Sequence, residues 1–227
     1  MVSEKELLLQ RVGRDTLFRQ SPGTTHKEVL MAMSKVDRAC FLRGKELARA
    51  YWDVPRSIGF EQTCSQPSTL ATLLQLLDIH PGQRILEIGT GCGYAATIAA
   101  EMAGEQGYVV SVERILDLVK LAQENAFHYF GAEWKQRMDI VYEDGSRGGK
   151  RNEKYDRIFF SAGTEQDFDL SPFEQLLQKE AGVIVAVHSG DVYHLGPMRK
   201  YVYVKEKLQE SIDYGRFCFV GLRENTI

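Results

Sequence analysis

The stretch Arg84-Ile85-Leu86-Glu87-Ile88-Gly89-Thr90-Gly91-Cys92-Gly93-Tyr94 decides the reading of this chain. Arg84 to Ile88 is a short apolar run of strand length, and an alanine-rich helical pattern follows from about Tyr94 to Met102. Gly89 and Gly91 allow a tight turn in which the backbone approaches a ligand, because no Cβ stands in the way. The spacing is G-x-G-x-G, one residue short of the dinucleotide pattern G-x-G-x-x-G. Glu113, twenty residues after Gly93, ends a second apolar run from Tyr108 to Val112. An acid at that position can accept hydrogen bonds from both hydroxyls of a ribose. Glu87 would repel a diphosphate and suits a cationic group instead, such as an amino-acid ammonium. A ligand-free glycine turn is the bland alternative, and the coincidence of strand, loop, helix and distal acid speaks against it. A nicotinamide dinucleotide site fits less well, given the shortened spacing and Glu87.

Working outward, Met138 to Tyr142, Arg157 to Ser161, Gly182 to Val187, Tyr201 to Val204 and Phe217 to Leu222 read as further strands. Between them, Leu118, Leu121, Ala122, Asn125, Ala126 and Tyr129 mark one face of a helix, and Pro172 to Gln178 another. Strand–helix alternation of this kind demands right-handed crossovers. The fold class is therefore α/β, a Rossmann-like seven-stranded, mostly parallel sheet with helices on both faces. The last two strands have no helix between them, which predicts an antiparallel hairpin at one edge. Upstream, residues from about 4 to 50 read as helical, broken at Ser21-Pro22-Gly23. Tyr51 to Gln66 has no sustained period and reads as loop or short extended segment, and a helix pattern then runs from Ser68 to His80-Pro81-Gly82. This divides the chain into a helical extension and acceptor-side loop, residues 1–81, packed on a core of residues 82–227.

The composition sets bounds on the partners. With 227 residues, 44% hydrophobic, the chain can bury a core, so disorder is excluded. A net charge of -3 argues against a dedicated nucleic-acid binder, which needs a basic face. The start Met1 to Glu6 is charged and lacks the apolar core of a secretory signal, and no apolar run approaches the roughly 20 residues of a membrane span. Cys40, Cys64, Cys92 and Cys218 are scattered, with no C-x-x-C and no His at ligand spacing. We expect reduced thiols, no metal and a cytoplasmic protein.

The glycine stretch resembles the class I S-adenosylmethionine-dependent methyltransferases, whose first motif is E/D-x-G-x-G-x-G. Such a motif names a cofactor and leaves the acceptor open. The acceptor clue is Ala50-Tyr51-Trp52-Asp53-Val54-Pro55-Arg56-Ser57-Ile58-Gly59-Phe60-Glu61-Gln62-Thr63-Cys64-Ser65-Gln66-Pro67. It resembles the hallmark of protein-L-isoaspartate (D-aspartate) O-methyltransferases, A-Y-x-D-x-P followed by I-G-x-x-Q/A-T-I-S-Q/A-P. The resemblance spans about residues 27 to 188, and Phe219-Val220-Gly221-Leu222 is similar to the family's closing F/Y-V-P-L.

That resemblance implies S-adenosyl-L-methionine as cofactor, S-adenosyl-L-homocysteine as its product, and a peptide or protein carrying isoaspartate as acceptor. It places Thr63 and Ser65 at the active-site T-x-S, with Ser65 catalytic and both beside the cofactor. Gly89, Gly91 and Gly93 would line the methionine part with Glu87 nearby, Glu113 would take the ribose, and Asp144 with Gly145 the adenine. The product would be a carboxyl methyl ester that loses methanol to a succinimide, beginning repair. Ser65 also reads as an N-cap of the helix near Pro67. Neither a membrane nor a nucleic acid is expected, and the sequence leaves the oligomeric state open.

Acceptor-side positions depart from the family pattern more than cofactor-side ones. Glu61 stands where Gly or Gln is usual, Ser161-Ala162-Gly163-Thr164 runs into the acidic Glu165 to Asp169, and Ala186-Val187-His188 replaces P-V-G. These leave two alternatives. One is a methyltransferase of the same lineage acting on another peptide carboxylate, a small metabolite or an RNA base. The other is a cofactor-binding, non-catalytic paralogue. His188 reads as a partly buried structural residue, the basic segment Arg147 to Lys154 as a solvated loop, and Trp52 and Phe60 as groove or core residues.

Overall fold

The computed structural model describes residues 2–20, 23, 26–148, 153–189 and 194–222. The main sheet has seven strands: β3 (Arg84–Ile88), β4 (Tyr108–Glu113), β5 (Met138–Tyr142), β6 (Arg157–Gly163), β7 (Ala181–Val187), β8 (Gly196–Val204) and β9 (Lys207–Phe217). A separate hairpin is formed by β1 (Arg56–Gly59) and β2 (Gln62–Cys64), in the segment read from sequence as loop or short extended chain. The order in the main sheet is β5-β4-β3-β6-β7-β8-β9. The first five are parallel, and β8 and β9 run antiparallel at one edge. Strand order reverses between β3 and β6, and a crevice opens there at the carboxyl ends of the strands.

The parallel strands are apolar on both sides, and their two-residue period divides them between two cores. Ile85, Val109, Phe159, Val183 and Val185 enter one cluster. Leu86, Val110, Ile158, Phe160 and Ile184 enter the other. The first face is covered by α4 (Pro67–Leu77), α5 (Tyr94–Ala103) and α6 (Leu116–Phe130). The second is covered by the single turn α7 (Ser171–Glu174) and its flanks, through Leu170, Phe173 and Leu177.

Helix α4 is buried all round, Thr69 alone of its residues excepted. A helix of that kind needs partners on every side. The sheet supplies one, through β6, β7 and β8, and α1 (Glu4–Val12), α2 (Thr16–Gln20) and α3 (His26–Lys35) supply the other. The first of these begins with a complete capping box between Ser3 and Glu6. The break expected at Ser21-Pro22 lies outside the described residues, as does the centre of the basic segment Arg147 to Lys154.

Three expectations are corrected. The final strand is β9, residues 207 to 217, and not Phe217 to Leu222. Lys205 and Glu206 both take positive φ, +50° and +61°, which closes a tight hairpin straight after β8. The returning strand is polar because it is an exposed edge, so its sequence carries no apolar alternation. Residues 220 to 222 instead lie beside the end of β6, where Gly163 N donates to Val220 O and Leu222 N to Gly163 O. The helix expected over Pro172 to Gln178 stops at Glu174, since Leu176 O and Gln178 N pair with the backbone of Tyr155. Ser65 is not an N-cap: Gln66 holds that position without a side-chain bond, and Asp53 reaches across to accept from Ser68 N at 2.9 Å.

Candidate functional site

The site is built where β3, β4, β5 and β6 end. After Ile88 the chain turns through Gly89 (φ +94°), Gly91 (φ +55°) and Gly93 (φ +82°), angles that other residues rarely adopt. The loop is held from within: Gly89 N and Thr90 N donate to Val112 O, and Asn125 Nδ2 donates to Cys92 O. Glu113 fastens it from the side. Its Oε2 accepts from Gly91 N at 3.0 Å and its Oε1 from Ile115 N at 2.9 Å. Burial raises the Glu113 carboxyl above its ordinary range, against the opposing pull of these amides.

Glu87 is fully buried beneath the loop. Ser111 Oγ and Ser161 Oγ each donate to it at 2.6 Å. Burial pushes its carboxyl up to about 8, the two hydroxyls opposing and the nearby Glu113 adding to the rise. A buried acid of this kind is ready to ionise when a cation arrives.

Three cavities meet here. One of about 260 Å³ is bordered by Ile88, Gly89, Val112, Glu113, Asp144 and Gly145, with Phe60 of the hairpin at its mouth. A cleft of about 510 Å³ is bordered by Thr63, Ser65 and Gln66 on one wall and Arg216 to Val220 on the other. Gln62, Gly89, Glu113 and Ala162 border both, so the two adjoin. A small inner cavity of about 30 Å³ joins Thr63 and Ser65 to Glu87, Gly89 and Gly91.

The structure thus brings Gly89, Glu113, Asp144 and Gly145 together around the first cavity, and Thr63 and Ser65 around the second. Gly93 borders neither; it opens α5, and a Cβ there would meet Ala122 Cβ at 3.2 Å. Asp144 caps a short turn by accepting from Ser146 N. S-adenosyl-L-methionine fits this cradle on its donor set: a buried acid held by two serine hydroxyls, a second acid at the end of β4, and apolar walls from Ile88, Val112 and Ile115. The close fit of loop to hairpin adds to this, since a Cβ on Gly91 would press within 3.2 Å of Ile58 Cδ1.

Sequence reasoning missed Arg38. Its guanidinium is 2% exposed and donates to five carbonyls, those of Ala50, Trp52, Val54, Cys64 and Ser65, at 2.8 to 3.3 Å. It ties the strap from Ala50 to Ser65 into one piece. No periodic signal marks such a residue, because its partners lie 12 to 27 positions away.

The departures resolve spatially. Glu61 sits at the exposed hairpin tip with φ +58° and borders neither cavity. Glu165, Asp167 and Asp169 border a different opening, beside Arg147 and Pro172. His188 is a core residue: Nε2 pairs with Tyr201 OH at 2.7 Å and Nδ1 with Thr164 Oγ1 at 2.9 Å, and burial lowers its pKa. Trp52 is exposed between the guanidinium groups of Arg49 and Arg56, outside the cleft. Among the described residues no helix is long and apolar enough to cross a membrane.

Comparison with known proteins bears on the family and the fold. The family model described as protein-L-isoaspartate(D-aspartate) O-methyltransferase matches residues 15–214. Protein-L-isoaspartate O-methyltransferase 1 of Archaeoglobus fulgidus is 35% identical over 204 residues, 90% of this chain and 85% of the relative. The protein-L-isoaspartate O-methyltransferase of Methanothermobacter thermautotrophicus is 35% identical over 73% of each chain. A Plasmodium falciparum crystal structure, described as a protein-L-isoaspartate O-methyltransferase beta-aspartate methyltransferase in complex with S-adenosyl-L-homocysteine, superposes with a TM-score of 0.76. It is 22% identical, covering 98% of this chain and 99% of the other, a likeness of fold.

Proposed function

The chain belongs to the protein-L-isoaspartate(D-aspartate) O-methyltransferase family, and from that membership we propose that it methylates the free carboxylate of isoaspartyl or D-aspartyl residues in damaged proteins. It is an S-adenosyl-L-methionine-dependent O-methyltransferase. One observation supports the assignment of chemistry to place: the cavity beside Glu113 and the cleft beside Ser65 adjoin, sharing Gly89 and Glu113 in their walls.

When bound, the cofactor supplies an activated methyl group on a sulfonium. The acceptor carboxylate, with an ordinary pKa near ~4, is already a nucleophile at neutral pH. No general base is needed, so the residues' task is alignment. Ser65 lines both the cleft and the inner cavity next to Gly89 and Gly91, and it orients one acceptor oxygen by donating from its hydroxyl. Arg38 fixes the Ser65 backbone through its carbonyl. Glu87 receives the cationic end of the cofactor, Glu113 its ribose, and Asp144 with Gly145 its adenine. Holding the reactants in line can supply about 7–11 kcal/mol in the best-aligned cases.

The test is transfer of labelled methyl to matched peptides containing isoaspartate or ordinary aspartate, read as base-labile methanol. Label on the isoaspartyl peptide alone is the expected result. Equal label on both, or none on either, would overturn the reading.

A further inference from the structure

The acceptor cleft has an uneven charge pattern that the methyl-transfer chemistry does not use. Its wall on the Ser65 side is hydroxyl and amide: Gln62, Thr63, Ser65, Gln66 and Thr69. Glu113, at the cofactor end, has both oxygens engaged by backbone amides. Among the described residues bordering the cleft, the one cation is Arg216, at the end of β9 on the opposite wall. Its Nη2 donates to Leu195 O at 2.6 Å, and Leu195 also borders the cleft. The guanidinium is thus braced at the cleft, and among the described residues it pairs with no carboxylate and has Leu195 O as its one hydrogen-bond acceptor, against the five N–H groups of its fork. Arg199 on the neighbouring strand is the contrast, since both of its bonds go to Asp213.

Resting on the function proposed above, we propose that Arg216 is a specificity-determining residue that pairs with a carboxylate flanking the isoaspartyl residue of the acceptor chain. The flanking position follows from depth. Ser65, Gly89 and Gly91 border both the cleft and the inner cavity, so the reacting carboxylate lies on that floor; Arg216 and Leu195 border the outer cleft alone. An extended acceptor advances about 3.3 Å per residue, so an acid flanking the isoaspartate, and not the reacting carboxylate itself, is the group offered to Arg216. The protein's own acidic run does not compete, because Glu165, Asp167 and Asp169 border another opening. Arg216 is exposed, so the effect is modest and salt-sensitive.

The experiment compares three isoaspartyl peptides that differ only at the flanking positions, carrying acidic, neutral or basic residues. They are assayed with the full chain and with Arg216→Gln and Arg216→Glu. For the unsubstituted protein at low ionic strength, KM for the acidic peptide is expected to be about two- to fivefold below that for the neutral one. The ratio should fall toward one in high salt and in Arg216→Gln, and invert in Arg216→Glu. Because the readout is a ratio within each protein, a partly unfolded variant still reports it. A preference that survives Arg216→Gln unchanged, or no preference in the unsubstituted protein, overturns the inference while leaving methyl transfer intact. Absence of transfer to all three peptides overturns the methyltransferase reading itself.

Discussion

Two side chains carry the proposed chemistry. In the proposed mechanism Ser65 donates one hydrogen bond to a charged oxygen, an interaction of about 1.5–3 kcal/mol. Ser65→Ala is therefore expected to lower kcat by about ten- to hundredfold while cofactor affinity stays within a few-fold; single-turnover kinetics with equilibrium dialysis would check both. A large loss of affinity would make Ser65 a cofactor ligand instead. Glu87 makes a pH prediction. Its folded pKa, about 8, lies above its ordinary value of 4.5, so the folded state holds a proton that the unfolded state releases. Its contribution to stability is full below about 4.5 and is lost as pH rises to about 8. Binding a cationic group beside it should expel that proton, so titration calorimetry at pH 7 in buffers of different ionisation enthalpy should show proton release. Glu87→Gln should abolish the release. No release in the unsubstituted protein would remove Glu87 from the cationic end of the cofactor. The glycines and Glu113 were legible because a positive φ and a strand-end acid each demand a residue type at a fixed spacing. Arg38 was not, since its partners are carbonyls, which every residue has.

Among the elements, α4 shows how the acceptor segment and the core depend on each other. Its first turn is capped by Asp53, from the strap itself. Loss of a cap costs about 0.5–2 kcal/mol, so Asp53→Ala should lower the unfolding free energy by that much, read in urea titration as a lower midpoint with an unchanged slope. An unchanged midpoint would mean that water replaces the carboxylate. The sequence announced α4 through its leucines but assigned its cap to Ser65, because a local Ser before Pro67 outweighs an Asp fourteen residues earlier. Likewise β9 was misplaced: an exposed edge has no buried face to impose a pattern, whereas Phe219 is buried and attracted the strand reading to itself.

For the whole molecule, the larger apolar cluster runs from Leu8 through α4 and the sheet to Phe219. The division at residue 81 expected from sequence follows motif content, and the packing continues across it. We expect one cooperative thermal transition, and calorimetry showing a separate early melt of the first three helices would contradict this. Cofactor at about a hundredfold its Kd should add about 2.7 kcal/mol, a rise in Tm of about 5–10 °C for a chain of this size.

The grip of Arg38 on the strap has a consequence for how such an enzyme changes over time. It holds peptide oxygens, so the exposed Trp52 and Val54 can be exchanged without loosening the frame on which Ser65 sits. A lineage can thus drift in what it accepts while keeping where it reacts. The same feature warns against grafting: residues 50 to 66 transplanted alone onto another methyltransferase sheet would arrive without their anchor, and a working chimera must bring position 38 along.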